Sequence, residues 1–180
     1  MNAAQTHKMC RYLTQKAQAG WIWLLTCYTF DVEAITIDVQ EATRRDVKTT
    51  VIVDHRTSLG NGTRDMLASL KAMRFSGTQI SLADGKDIQG VYATVGRHVP
   101  PGRGIQHSKT LFVADNADFS GENYLIIGSC NWTTSSRCNY ELSSLIQLST
   151  DGAKKHHGSV MSWPTVPLSI SEEREFAPGN

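Results

Sequence analysis

The chain has 180 residues, a length that suits one domain able to bury its own hydrophobic core. Its 18 Lys and Arg residues balance 17 Asp and Glu residues, which excludes a surface coated in basic charge but leaves room for a local basic patch. The four cysteines show neither a Cys-x-x-Cys pair nor zinc-finger spacing, so we expect free thiols in a reducing compartment, with the cytoplasm favoured.

Residues 1–20 show no signal peptide, and the longest apolar run, residues 21–30, is too short to cross a bilayer. We therefore expect no transmembrane segment and a soluble protein, unless the chain is cut from a longer one.

The first half of the chain predicts alternating helices and strands. The predicted helices cover residues 2–19, 31–45 and 63–75, and the predicted strands cover residues 21–28, 48–54 and 78–82. Asp31 and Thr63 are the expected N-caps of the second and third helices. This αβαβαβ order indicates an α/β layered domain.

The second half predicts an irregular segment, a hairpin, a strand and a helix. Residues 83–104 are rich in Gly and Pro, which favours irregular structure. Apolar runs at residues 111–114 and 124–127 predict the hairpin, followed by a strand at 142–148 and a helix at 151–163. The composition beyond Pro164 predicts a flexible tail, residues 164–180, which leaves one domain over residues 1–163.

A group of polar residues follows this irregular segment. His107 and Lys109 are separated by one residue where the first hairpin strand is predicted to begin, so strand alternation would place both side chains on one face. The second hairpin strand ends in Gly-Ser-Cys-Asn at residues 128–131, which puts a hydroxyl and an amide near the strand end. Glu141 lies at the entry to the next strand.

This arrangement resembles the phospholipase D superfamily, whose signature is H-x-K-x(4)-D, then G-S-x-N and a later glutamate. The resemblance covers roughly residues 20–163. It is closest to the small members with a single motif, the bacterial endonuclease type and the mitochondrial cardiolipin hydrolase type. It implies an α/β fold in which a mixed β-sheet is flanked by helices on both faces. Two departures are visible: Ala114 stands where the family has Asp, with Asp115 one position later, and the hairpin turn is longer than usual.

The resemblance implies a metal-independent phosphodiesterase that uses no cofactor and acts through a phosphohistidine intermediate. His107 would attack phosphorus, while Lys109 and Asn131 would meet the charge that builds on the non-bridging oxygens. Glu141 would fix an imidazole tautomer, in this chain or across an interface. Asp115 is assigned only a supporting role. Because the leaving oxygen needs a second histidine and the motif occurs once, the resemblance implies a homodimer with one composite site.

Three further residues are candidates for binding substrate. Ser129 is as readily a turn residue as a phosphate ligand, and Arg97 and Arg103 are as readily part of a solvated loop as a polyanion site. His55 and the pair His156 and His157 have no partners at metal-ligand spacing, so no metal site is predicted.

The substrate and the activity each leave an alternative open. A nuclease is favoured over a phospholipid hydrolase of the phospholipase D or cardiolipin hydrolase type, because the chain is small and carries one motif without an apparent membrane anchor. The near-neutral charge suits a nuclease poorly, since phosphate-backbone affinity comes mostly from Lys and Arg. A non-catalytic nucleic-acid-binding module with the same fold is the remaining alternative.

Overall fold

The computed structural model describes residues 1–54, 64–87 and 103–168, in which eight strands form one sheet. The strands are β1 (Ile22–Cys27), β2 (Lys48–Asp54), β3 (Gln79–Asp87), β4 (Arg103–Ile105), β5 (Thr110–Ala114), β6 (Asn123–Gly128), β7 (Ser143–Gln147) and β8 (Thr165–Pro167). The helices are α1 (Ala3–Lys16), α2 (Glu33–Arg44), α3 (Arg64–Phe75) and α4 (Thr150–Met161), with a 3₁₀ helix at Thr134–Cys138.

The sheet is mixed, with the order β4-β3-β2-β1-β5-β6-β7 and β8 paired to β3. β1, β2 and β3 run parallel to one another, whereas β5 is antiparallel to β1, β6 to β5 and β7 to β6. The carboxyl ends of β1, β2 and β6 therefore meet the amino ends of β5 and β7 at one end of the sheet, called here the site end.

The core has two layers, one on each face of the sheet. Trp23 and Leu25 on β1 point to the face covered by α1, α2 and α3, whereas Leu24 points to the opposite face, where α4 packs through Ala153 and Val160. The α/β fold with a mixed sheet and helices on both faces is therefore confirmed. No helix in the three described ranges is long and apolar enough to cross a membrane.

The second helix begins differently from the prediction. Its N-cap is Val32, without a side-chain hydrogen bond, so the prediction that Asp31 caps α2 is wrong. Phe30 forms an isolated parallel bridge with Trp132. This bridge places Asp31 close to the start of the 3₁₀ helix. Asp31 Oδ1 accepts a hydrogen bond from the backbone N–H of Thr134 at 2.6 Å. The predicted cap of α3, Thr63, lies outside the described residues.

Strand pairing extends further than the sequence patterns suggested. β3 continues to Asp87, and β4 occupies the end of the segment predicted to be irregular, because β3 and β4 pair with each other. Residues Thr165–Pro167 form β8 against β3, so the chain just beyond Pro164 belongs to the sheet and not to a tail. Residues 169–180 lie outside the described residues. The predicted hairpin is confirmed as β5 and β6.

We expect Leu25→Ala to lower the free energy of unfolding by about 2–5 kcal/mol. The reason is that this side chain is fully buried between the sheet and its helices, so its removal leaves a cavity there. Ile37→Ala is the control, since Ile37 is half-exposed on α2 and its loss should cost less than about 0.5 kcal/mol. Urea unfolding followed by circular dichroism measures both. Equal losses in the two variants would contradict this account of the core.

Candidate active site

His107 and Lys109 lie in the connection between β4 and β5 and not inside a strand. Strand alternation therefore does not determine their placement, because β5 begins only at Thr110, and their exposure differs: His107 is exposed, whereas Lys109 is only 5% exposed. A hydrogen bond joins them instead, because Lys109 Nζ donates to the carbonyl oxygen of His107 at 2.7 Å. The short connection thus presents an imidazole to solvent with an ammonium group behind it.

Buried side chains of β1 and β2 hold this connection in place. The backbone N–H of Gln106 donates to Oδ2 of Asp54, a fully buried carboxylate at the end of β2, at 2.7 Å. Thr26 Oγ1 on β1 lies 2.6 Å from Ser108 Oγ and accepts a hydrogen bond from the backbone N–H of Thr110 at 3.1 Å. The residues on either side of His107 are therefore fixed to the two central parallel strands.

Tyr28, which the sequence analysis did not single out, contacts both motif residues. Its ring meets the His107 ring edge-on, with centroids 4.9 Å apart and planes at 61°. Lys109 Nζ lies 5.6 Å from the centroid of the same ring, within the range of a cation–π interaction. Its position just after β1, at the site end of the sheet, is the sequence signal that could have identified it.

Ser129 and Glu141 form the other side of the site. Ser129 Oγ donates to Glu141 Oε2 at 2.5 Å, and Asn139 Nδ2 donates to the other carboxylate oxygen at 3.3 Å. A hydroxyl carries a single proton, so in this arrangement Ser129 donates to Glu141 and not to a phosphate. The geometry favours Ser129 as the partner of Glu141 over its predicted contact with substrate.

Gly128 makes this arrangement possible at the strand end. A Cβ at this position would lie 2.3 Å from the carbonyl oxygen of Leu142 and 2.4 Å from Ser143 Oγ. The backbone N–H of Ser129 donates to the same Leu142 carbonyl at 3.0 Å. Only glycine permits so close an approach of β6 and β7, which brings Ser129 within reach of Glu141.

Asn131 is half-buried, and its side-chain oxygen is buried without a hydrogen-bond partner within the described ranges. The next residue, Trp132, is fully buried, and its Nε1 donates to the carbonyl oxygen of Thr26 at 3.2 Å. The Gly-Ser-Cys-Asn segment is therefore anchored to the same β1 residue that fixes the His107 connection.

The charges of the site act on its two titratable motif residues. Burial lowers the pKa of His107 from its ordinary value, and the Lys109 ammonium lowers it further, against the opposing Asp54 carboxylate. Burial also lowers the pKa of Lys109, with Glu141 opposing the shift. The shift of His107 favours an unprotonated imidazole, whereas burial of Lys109 acts against its charged form and Glu141 supports it.

Several predicted residues lie elsewhere. Asp115 is at the far end of β5, where its Oδ2 accepts a hydrogen bond from the backbone N–H of Glu122 at 2.9 Å, so any support it gives passes through the β5–β6 turn. Ala114 is fully buried in the core on the α4 face. Arg97 lies outside the described residues, and Arg103 belongs to β4, although its side chain is not described.

His156 and His157, two of the remaining histidines in the prediction, lie on α4. Both pack against Phe112, with ring centroids 5.4 and 6.1 Å from it. His55 lies outside the described residues. In the part of the chain that is described, no three His, Cys, Asp or Glu side chains are grouped so as to hold a metal ion.

Comparison with known proteins identifies the family of this fold and site. The family model described as "cardiolipin synthase, PLD-like domain" matches residues 12–157. Comparison with curated protein sequences finds no match.

Solved structures share the fold. NucT from Helicobacter pylori is 17% identical over 92% of each chain, with a TM-score of 0.71. Nuc from Salmonella typhimurium, a phospholipase D family member, is 17% identical over 90% of each chain, with a TM-score of 0.66. Polyphosphate kinase from Porphyromonas gingivalis is 16% identical over 85% of this chain and 23% of its own, with a TM-score of 0.58. On the family match, the chain belongs to the phospholipase D superfamily, whose members are phosphodiester-processing enzymes.

Proposed function

We propose that this chain is a metal-independent phosphodiesterase that acts on nucleic acid through a phosphohistidine intermediate. The observation that carries the proposal is the exposed His107 imidazole, which contacts Tyr28 and is backed by the buried Lys109 ammonium. A nucleophile and a cation at adjacent positions are what attack on a phosphodiester requires.

The reaction has two steps. A ring nitrogen of neutral His107 forms a bond to phosphorus as the bond from phosphorus to the leaving oxygen breaks, and a second imidazole gives that oxygen a proton. Water then attacks the phosphohistidine, giving its proton to the same second imidazole, and His107 leaves. Lys109 and Asn131 stabilise the negative charge on the non-bridging oxygens in both transition states.

Nucleic acid is the proposed substrate because the single motif of the chain resembles that of the bacterial endonuclease type. The likeness of fold to Nuc and NucT over at least 90% of each chain is consistent with this choice. Phospholipid is the competing substrate, and the assay below separates the two.

We further propose that a second copy of the chain supplies the second imidazole. Within the described ranges, the other histidines are engaged in other contacts: His7 is buried with its Nε2 at the Asn131 carbonyl, and His156 and His157 pack against Phe112. A two-fold axis beside the site would bring two His107 side chains together without any further element.

An exposed apolar surface beside the site is suited to this contact. It is formed by exposed side chains on β6, on β7 and just before β7, and it is called here the β7 surface: Ile127 and Ile146 on the α4 face of the sheet, Leu145 on the opposite face, and Tyr140 and Leu142 before the strand. β7 is the last strand on its side of the described sheet, and exposed apolar side chains on an end strand favour association. Because Glu141 lies between Tyr140 and Leu142, a copy docked here lies next to the site.

We expect wild-type protein to cleave single-stranded DNA, double-stranded DNA or RNA in the presence of EDTA, and His107→Ala to lose at least about a thousand-fold in rate, because the nucleophile is removed. His157→Ala is the control, a histidine on α4 that the mechanism does not use.

Cardiolipin vesicles are assayed in parallel. Cleavage of lipid alone would replace nucleic acid with phospholipid as the substrate, and cleavage of nothing would favour a binding module. Inhibition by EDTA would contradict the metal-independent mechanism.

We expect His107 to titrate below 6.5 in the wild type, because burial and Lys109 both disfavour the imidazolium. Activity that depends on neutral His107 should then persist below pH 6.5 and fall only as pH drops through that lowered pKa. Lys109→Met should raise the pKa of His107, whereas Lys154→Met on exposed α4 should not. NMR titration of the His107 ring measures this without requiring turnover. An unchanged pKa in Lys109→Met would show that the two residues are not coupled.

We expect wild-type protein to be a dimer and Leu145→Asp to be a monomer without cleavage, because the charge disrupts the β7 surface and removes the second imidazole. Val166→Asp on β8 is the control, an exposed apolar position at a distant strand. Light scattering after gel filtration gives the mass, and circular dichroism confirms that both variants fold. A wild-type monomer with full activity would contradict the composite site.

A further inference from the structure

A buried histidine outside the motif, on α1, contacts the Gly-Ser-Cys-Asn segment. His7 lies on α1 and is 2% exposed. Its Nε2 lies 3.1 Å from the carbonyl oxygen of Asn131 and 3.6 Å from Cys130 Sγ. Its ring stacks on Trp132, with centroids 6.0 Å apart and planes at 28°. One side chain therefore touches three consecutive residues, the last two of the segment and Trp132, which follows it.

The contact with the Asn131 carbonyl fixes the tautomer of this histidine. A carbonyl oxygen only accepts, so Nε2 carries the proton and donates it. Nδ1 is then an acceptor, and it is buried with no hydrogen-bond partner among residues 1–54, 64–87 and 103–168. Burial also lowers the pKa of His7, in keeping with a neutral ring.

Burying an imidazole with one unsatisfied nitrogen costs free energy, and an apolar side chain at the same position would avoid this cost. Of the other buried residues of α1, Ala3, Cys10 and Leu13 are apolar, and the hydroxyls of Thr6 and Thr14 are satisfied by carbonyl oxygens four residues earlier. The stronger of the two polar contacts that His7 makes with the segment is the one to the Asn131 carbonyl, because the Cys130 sulfur is a weak partner. The free-energy cost of burying His7 is therefore linked to the position of Asn131.

We propose that His7 is a positioning residue that holds the Asn131 backbone so that the Asn131 side chain faces the substrate phosphate; this rests on the proposed function, in which Asn131 stabilises the non-bridging oxygens. Two anchors then fix the segment: His7 on α1 holds the Asn131 carbonyl, and Thr26 on β1 holds Trp132. The donor from Asn131 is in place before substrate arrives, which is the arrangement that favours transition-state stabilisation.

The test compares side chains at position 7 that do or do not carry a hydrogen-bond donor able to reach the Asn131 carbonyl. His7→Leu removes it at similar size and should lower kcat about tenfold with little change in KM, because the lost interaction acts in the transition state. His7→Gln, whose amide nitrogen can reach the same carbonyl, should restore most of kcat. If His7→Leu does not fold, His7→Asn, which is too short to reach, takes its place. Equal kcat in the Gln variant and the shorter or apolar variant would overturn the proposal.

Thr14→Val is the matched control for simple destabilisation of α1. It removes the buried hydrogen bond from Trp23 Nε1 to Thr14 Oγ1, 2.9 Å long, without touching the segment. It should lower the melting temperature while leaving kcat unchanged. A comparable loss of kcat in Thr14→Val would show that His7 serves only the stability of the helix.

A double-mutant cycle shows whether His7 acts through Asn131. The loss in His7→Leu/Asn131→Ala should equal the loss in Asn131→Ala alone, because the first residue has nothing left to position. If the losses of kcat in the two single variants multiply in the double variant, the proposal is overturned. An active wild type that tolerates Asn131→Ala would instead refute the proposed role of Asn131. The side-chain amide resonance of Asn131, which needs no turnover, should shift in His7→Leu and stay in place in His7→Gln and Thr14→Val.

Discussion

Thr26 is the residue on which both halves of the site depend. Its side chain is fully buried in β1, where Oγ1 accepts from the Thr110 backbone and contacts the Ser108 hydroxyl. Its carbonyl oxygen accepts the indole N–H of Trp132. One residue thus places the His107 connection and the Gly-Ser-Cys-Asn segment relative to each other. The mixed sheet makes this possible, because the strands that lead into and out of these segments meet at one end.

The electrostatics of the site follow from the depth at which each charge is placed. Lys109 is buried under Tyr28 and bonded to the His107 carbonyl, so its position is fixed before any anion binds. A cation held in this way stabilises developing negative charge without having to reorganise. Burial and the same cation both lower the pKa of the neighbouring His107 imidazole. Glu141 is hydrogen-bonded to Ser129 and Asn139, and within the described part of the chain its carboxylate makes these bonds and none to the exposed imidazole.

Much of the fold could be predicted from the sequence, because a short apolar run such as the one that forms Ile22–Cys27 reports burial directly. The short strand β8 could not, since three residues with two prolines nearby carry no periodicity, and only pairing with β3 makes them a strand. At the site, the spacing of His107 and Lys109 indicated that they belong together but assigned the wrong cause. Alternation does not apply outside a strand, and a hydrogen bond joins them instead. Tyr28 and His7 were missed because their importance arises from contacts between distant parts of the chain.

Those distances along the chain govern when the site can form during folding. The contact between Thr26 and Ser108 spans 82 residues, that between Thr26 and Trp132 spans 106, and that between His7 and Asn131 spans 124. Each such contact requires the entropy of a long loop to be lost before any stabilisation is gained. No local hairpin or helix can therefore preassemble the site during synthesis. The geometry of the candidate site appears together with the complete sheet, and a partly folded chain would hold the His107 connection and Asn131 apart.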